Sequence, residues 1–198
     1  MKKTAVVLGL VILTIGAQAA MCGKASVGIT GGINIATVRG DDVEDVDSRT
    51  AGFFGGFVEY PFTPVVSIQP EFLYTMKGAS DTYNGYKVTV KLNYVEIPVL
   101  LRVNIPTESN VKPFLVAGPG IGFKVSSKSE VNSHEEDIED VKGTDFGFIF
   151  GGGIGFPVGS YMMSVAARYE LGLTSVDDSE YEEDVKNGVI SIGAGLGF

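Results

Sequence analysis

Apolar and polar side chains alternate with a period of two at many points along the chain, and no segment shows a convincing helical period. From Val66 to Lys77, the residues Val66, Ile68, Pro70, Phe72, Tyr74 and Met76 share one face. Ser67, Gln69, Glu71, Leu73, Thr75 and Lys77 share the other. Tyr161–Leu173 repeats the pattern, with Tyr161, Met163, Val165, Ala167, Tyr169, Leu171 and Leu173 against Met162, Ser164, Ala166, Arg168, Glu170 and Gly172. Further strands read as Ala25–Val38, Ala51–Tyr60, Tyr86–Ile105, Lys112–Ser126, Asp145–Phe156 and Gly188–Phe198, which makes eight. Residues 60–64, 106–111 and 157–160 are short turns at Pro or Gly, whereas 39–50, 77–85, 127–144 and 174–187 are longer and mostly polar.

Short turns at one rim and long loops at the other, with both termini on the short-turn side, are the layout of an all-β, eight-stranded antiparallel up-and-down transmembrane β-barrel of an outer membrane. Every backbone amide in lipid must be paired, so a strand-built span has to close on itself. Each strand needs ~9–11 residues in the hydrocarbon, and these segments supply them. Eight strands leave an interior that side chains fill, which predicts small residues and paired charges on the inner face. Glycines do recur there at every second position: Gly118, Gly120 and Gly122; Gly151, Gly153 and Gly155; Gly193, Gly195 and Gly197. The charged residues of that parity, Glu59, Glu71, Glu96 and Glu170 against Lys77, Lys91, Arg102 and Arg168, form a candidate interior ion-pair network. One strand departs from the rule. Its even positions are apolar from Val88 to Tyr94, yet Glu96 and Arg102 are also even. A β-bulge near Val95 would reverse the parity and turn Ile97, Val99 and Leu101 to lipid; a break into two strands is the alternative.

Composition narrows the function. Glycine is 27 of 198 residues, about twice the usual ~7%, and most of the excess falls in the strands. The net charge of −9 argues against a nucleic-acid partner. One Cys and one His exclude a disulfide framework and a multi-histidine or cysteine-built metal site. Acid concentrates in three long loops: Asp41, Asp42, Glu44, Asp45 and Asp47; Glu130, Glu135, Glu136, Asp137, Glu139 and Asp140; Asp177, Asp178, Glu180, Glu182, Glu183 and Asp184. The first run lacks the ligand spacing and turn glycine of an EF-hand, so solvated charge is its simpler reading. His134, beside Glu135 and Glu136, reads as a surface loop residue rather than a catalytic base. No catalytic, cofactor or metal residue is assigned, and no cofactor is expected.

Lys2 and Lys3, the apolar run Ala5–Ile15 and Ala17-Gln18-Ala19 make residues 1–19 a cleavable secretory signal peptide, leaving 20–198 as the barrel domain. An uncleaved anchor, or a lipoprotein signal ending at Cys22, is the competing reading. The chain ends on Ile190, Ile192, Ala194, Leu196 and Phe198 in alternation. That ending resembles the C-terminal signal by which outer-membrane barrels engage their assembly machinery, with Phe198 as the final aromatic.

The segments GITGGINIATV (28–38), GFFGGFVEYPF (52–62), SIQPEFLYTMKG (67–78), KLNYVEIPVLLR (91–102), KPFLVAGPGIGF (112–123), DFGFIFGGGIGF (145–156) and ARYELGLTSV (167–176) carry a family resemblance. Through them the chain resembles the PorT-like outer-membrane β-barrel family of Gram-negative bacteria over nearly its whole mature length. The resemblance implies an integral outer-membrane barrel with periplasmic termini, no enzyme activity and no cofactor. Its partners would be outer-membrane lipids, the assembly machinery and other envelope proteins. A structural, interaction or secretion-associated role is expected. Two alternatives stay open: a narrow pore or transporter for small solutes, and a soluble periplasmic lipocalin-like binder of lipophiles with its apolar face inward.

Overall fold

A computed structural model of the chain describes residues 24–40, 47–83, 86–131, 134–138, 141–176, 178 and 185–198. The expected signal peptide, Cys22 and much of the acidic loop sequence (41–46, 139–140, 177 and 179–184) lie outside the described residues. The strands are β1 (Ser26–Arg39), β2 (Asp47–Pro61), β3 (Val66–Tyr83), β4 (Tyr86–Asn104), β5 (Lys112–Val131), β6 (His134–Asp137), β7 (Thr144–Val158), β8 (Tyr161–Gly172) and β9 (Lys186–Gly197). Eight of them form the wall. Each pairs antiparallel with its neighbour, and the ring closes where β1 meets β9, from Gly28↔Gly197 to Arg39↔Lys186. The remaining strand, β6, adds a short ribbon to the loop-side end of β5, from Lys128↔Asp137 to Val131↔His134. It occupies sequence read as loop.

The long strands outrun their sequence-based bounds. β3, β4 and β5 have 18, 19 and 20 residues, well above the ~9–11 a membrane crossing needs. Their loop-side ends, with β6, therefore stand clear of the hydrocarbon. At the opposite rim the connections are tight. The Thr63 hydroxyl accepts from the amides of Val65 and Val66 in the β2–β3 turn (3.2 and 2.8 Å), and Gly159 turns the β7–β8 hairpin at φ 62°, a left-handed geometry that favours glycine.

Alternation decides which face meets what. Ile29, Phe54, Phe72, Leu115, Phe148 and Val165 are among the large apolar side chains left exposed outside. Asn34, Gln69, Glu71, Lys77, Glu96 and Arg102 are buried inside. Apolar-out and polar-in is the arrangement lipid demands, and it is the reverse of what a lipophile carrier in water would need. The expected bulge near Val95 is absent, as is a break in the strand. Leu92, Tyr94, Glu96, Pro98, Leu100 and Arg102 are all buried in unbroken alternation. The β3–β4 register also runs unchanged from Val66↔Val103 to Tyr83↔Tyr86. The irregularity lies across the seam: Asn93 pairs with Ser126 but Tyr94 with Lys124, so the extra residue is Val125 on β5. Ile97, Val99 and Leu101 face outward as expected, without any reversal. A second register shift falls between Ser48 and Phe53, where β2 has one residue more than β3.

Candidate functional site

The interior is the part of the molecule where charge and burial meet. β3, β4, β7 and β8 each bring one charged side chain to a common centre. The Lys77 ammonium is bonded to Glu170 and lies 3.5 Å from both Glu96 and Asp145; its side chain is 1% exposed. Asn187 on β9 donates to Asp145 Oδ2 at 2.8 Å. A second group lies nearer the short-turn rim. Arg168 bonds Glu71 at 2.8 Å, and Gln69 donates to the other Glu71 oxygen at 2.6 Å. Arg102 donates to Gln69 (3.2 Å) and Asn104 (3.0 Å), lies 3.6 Å from Glu59, and stacks its guanidinium 3.7 Å above the Phe114 ring. Ser67 donates to Glu59 at 2.7 Å. Asn34 links three strands, donating to Thr75 (2.8 Å) and the Met76 carbonyl (3.1 Å) and accepting from Ser191 (2.8 Å).

Apolar side chains fill what the charges leave. Leu100, Phe114, Val116 and Ile149 pack together inside the lumen, where aromatic and aliphatic bulk needs glycine opposite it. A Cβ on Gly153 would sit 2.7 Å from the Phe114 ring tip, and one on Gly118 would sit 2.1 Å from the Val99 carbonyl oxygen. Among the described residues, small voids of about 20 and 30 Å³ lie in the lumen, the larger bounded by Glu96, Glu170, Arg168, Asn34 and Ser191. Each has room for a water or two. A wider cleft of about 420 Å³ opens at the short-turn rim, between Glu59, Arg102, Lys112, Pro64, Ile105 and Met162.

Of the eight residues assigned to the interior network, the structure places Glu59, Glu71, Lys77, Glu96, Arg102, Arg168 and Glu170 there, in two groups rather than one. Lys91 is a correction. With β4 unreversed it takes the outer parity, on the loop-side extension, and bonds Glu130 and Glu135 instead (2.6 Å to Glu135). Glu135 also bonds Lys128 at 2.8 Å. Those hydrogen bonds, first from Lys128 and then from Lys91, hold the Glu135 carboxyl down to about 2; Lys91 is raised by its hydrogen bonds to Glu130 and then Glu135, and Lys128 by its own to Glu135. Asp145, Asn187, Gln69 and Asn34 are interior members that the charge pattern did not reveal. Asp145 and Asn187 sit at strand ends that read as rim, and neutral amides give no charge signal.

His134 opens β6, exposed. Among the described residues no set of three or more His, Cys, Asp or Glu side chains is arranged to hold a metal ion. Phe198 is tied to the wall: its amide donates to the Val27 carbonyl at 2.7 Å, and its ring meets Tyr161 edge-on at 5.6 Å.

Comparison with known proteins supports this architecture. The family model described as "Outer membrane protein beta-barrel domain" matches residues 17–178. No curated protein matches the sequence. Among solved structures, the chain is similar to Neisserial surface protein A (NspA), with a TM-score of 0.54, 14% identity, and coverage of 89% of this chain and 100% of that one. It is similar to the outer membrane protein OprG from Pseudomonas aeruginosa to the same degree: TM-score 0.54, 14% identity, 91% and 99% coverage. At that identity the likeness is one of fold.

Proposed function

As a member of the outer membrane protein beta-barrel domain family, the chain is a β-barrel of the Gram-negative outer membrane, and we propose that it works there as a non-enzymatic structural or interaction protein. The wall anchors it and the long strands carry an acidic surface outside the cell. A role alongside a secretion apparatus, as the PorT-like resemblance implies, is the finer form of this reading. Its partners are then outer-membrane lipids, the machinery that assembles it, and other envelope proteins.

The observation that carries the proposal is the filling of the lumen. Among the described residues, two ion-paired groups and an apolar cluster fill the lumen around small voids of about 20 and 30 Å³, whereas the strands β3, β4 and β5, with β6, build upward past the membrane. A protein of this shape presents a surface better than it passes a solute.

Two measurements test the proposal together. Purified protein in planar bilayers should be electrically silent. Capture from intact outer membranes, after surface cross-linking, should recover envelope proteins that are lost when Glu136 and Asp137 are replaced by Asn-type neutral residues. Stable conductance that changes on neutralising Glu71 or Arg102 would overturn the reading in favour of a pore.

A further inference from the structure

The cleft at the short-turn rim has a volume of about 420 Å³, within the ~300–1,000 Å³ of small-molecule sites. Its charge is uneven. Two cations line it, Arg102 on β4 and Lys112 on β5, against one acid, Glu59 on β2. One positive charge is therefore unanswered inside the cleft. Arg102 also borders the void of about 20 Å³ further in, so it forms the inner end, and Lys112 stands nearer the mouth.

Both cations are held in place with donors to spare. The Arg102 guanidinium is stacked on Phe114 and fixed by bonds from Nη1 to Gln69 and from Nε to Asn104. Those bonds leave Nη2 without a hydrogen-bond partner among the described residues. The Lys112 ammonium donates to the Thr107 carbonyl at 3.1 Å, which uses one of its three N–H groups. The walls are preset as well. The Asn104 amide donates to the Val65 carbonyl and the Ile105 amide to the Pro113 carbonyl, both at 2.8 Å. The Thr107 hydroxyl closes its own turn on the Val111 carbonyl at 2.7 Å. Little ordering remains to oppose binding. Between the cations, Val65, Ile105 and Met162 contribute apolar surface.

We propose that this cleft binds a small organic monoanion, a carboxylate carried on a short apolar body. The carboxylate takes the free donors of Arg102 and Lys112, since charge-assisted bonds to a fixed guanidinium are strong and directional. The body lies against Val65, Ile105 and Met162. Glu59 sets the charge limit: its carboxylate lies 3.6 Å from Arg102 Nε, so a second negative charge on the ligand would meet it. The site faces the side of the membrane opposite the acidic loops and needs no passage through the filled lumen.

The test uses the isotope-labelled full barrel refolded in detergent, with amide shifts followed as sodium valerate is added at constant ionic strength. Saturable shifts should gather at Val65, Thr107 and Lys112, and the uncharged counterpart valeramide should produce none of them at the same concentrations. Lys112→Gln should keep the heat-modifiable fold and weaken valerate roughly tenfold, the loss of one charge-assisted hydrogen bond. Glu136→Gln on the exposed ribbon should bind as the parent does. Shifts that never saturate, equal shifts with valeramide, or unchanged affinity in Lys112→Gln would overturn the site. Shifts spread along the lipid-facing wall would mark uptake by the detergent and overturn it too. Inorganic phosphate saturating the same amides at lower concentration than valerate would overturn the monocarboxylate class.

Discussion

Replacing Lys77 by methionine removes one ammonium and leaves most of the side-chain volume in place. The substitution strands Glu170, Glu96 and Asp145, whose contacts with Lys77 are the closest cationic contacts the structure gives them. Because Lys77 is 1% exposed, water cannot replace it without entering a lumen whose voids hold only a molecule or two. Breaking a buried pair by removing one partner costs about 3–5 kcal/mol, and three carboxylates sharing one cation put Lys77→Met at the upper end. For a domain of this size each kcal/mol lowers the melting temperature by about 2–4 °C, so a fall of roughly 10–20 °C is expected. The readout is the temperature at which the compact, unboiled gel form converts to the unfolded one. Lys77→Met combined with Glu170→Gln should recover part of the loss, since it removes one stranded charge. A single variant that melts within a degree or two of the parent would refute the reasoning.

Three further outcomes follow from the geometry. Gly118→Val should block barrel formation, because its Cβ would lie 2.1 Å from the Val99 backbone; the heat-modifiable fraction on a gel reads this directly. The tie of β6 to β5 should be intact above about pH 4.5 and weaken as the pH falls toward 2, because Glu135 titrates lower when folded than when free; hydrogen exchange at the β6 amides measures it, and protection unchanged down to pH 2 would remove Glu135 from the account. Phe198→Ala should slow insertion in cells while the refolded barrel in detergent loses little beyond the Tyr161 contact; normal surface levels would show that the terminal aromatic is not an assembly signal.

The alternation rule located all eight wall strands, because lipid outside and a filled lumen inside impose opposite polarity on successive residues. It failed where the lumen is apolar. Leu92, Tyr94 and Leu100 face inward with Glu96 and Arg102, so "polar means inside" suggested a bulge on β4 that does not exist. The real bulge, at Val125, is flanked by Lys124, Ser126, Ser127 and Lys128, where a parity switch leaves no trace in hydrophobicity. The same misreading drew Lys91 into the interior. Asp145 and Asn187 escaped notice for a different reason. They sit at strand ends, and only the tilt and stagger of the closed sheet bring those ends level with Lys77 and Glu96. The β6 ribbon is written in acidic residues that favour no strand, and its pairing depends on Lys91 and Lys128 from neighbouring strands.

The seam between the first and last strands also governs how the molecule is made. Lys77 and Glu170 are 93 positions apart, Glu71 and Arg168 are 97, and Asn34 and Ser191 are 157. None of these contacts can form within a local hairpin. Each waits for the chain's last segments, so a nascent barrel lacks these three ties until the final hairpin docks, although Lys77–Glu96 and Arg102–Glu59 lie within its first four strands. Contacts of such long range make folding slow and leave little reward for partial closure. An incomplete chain of this kind has a polar, open inner surface that lipid rejects, which makes completion of synthesis a precondition for insertion.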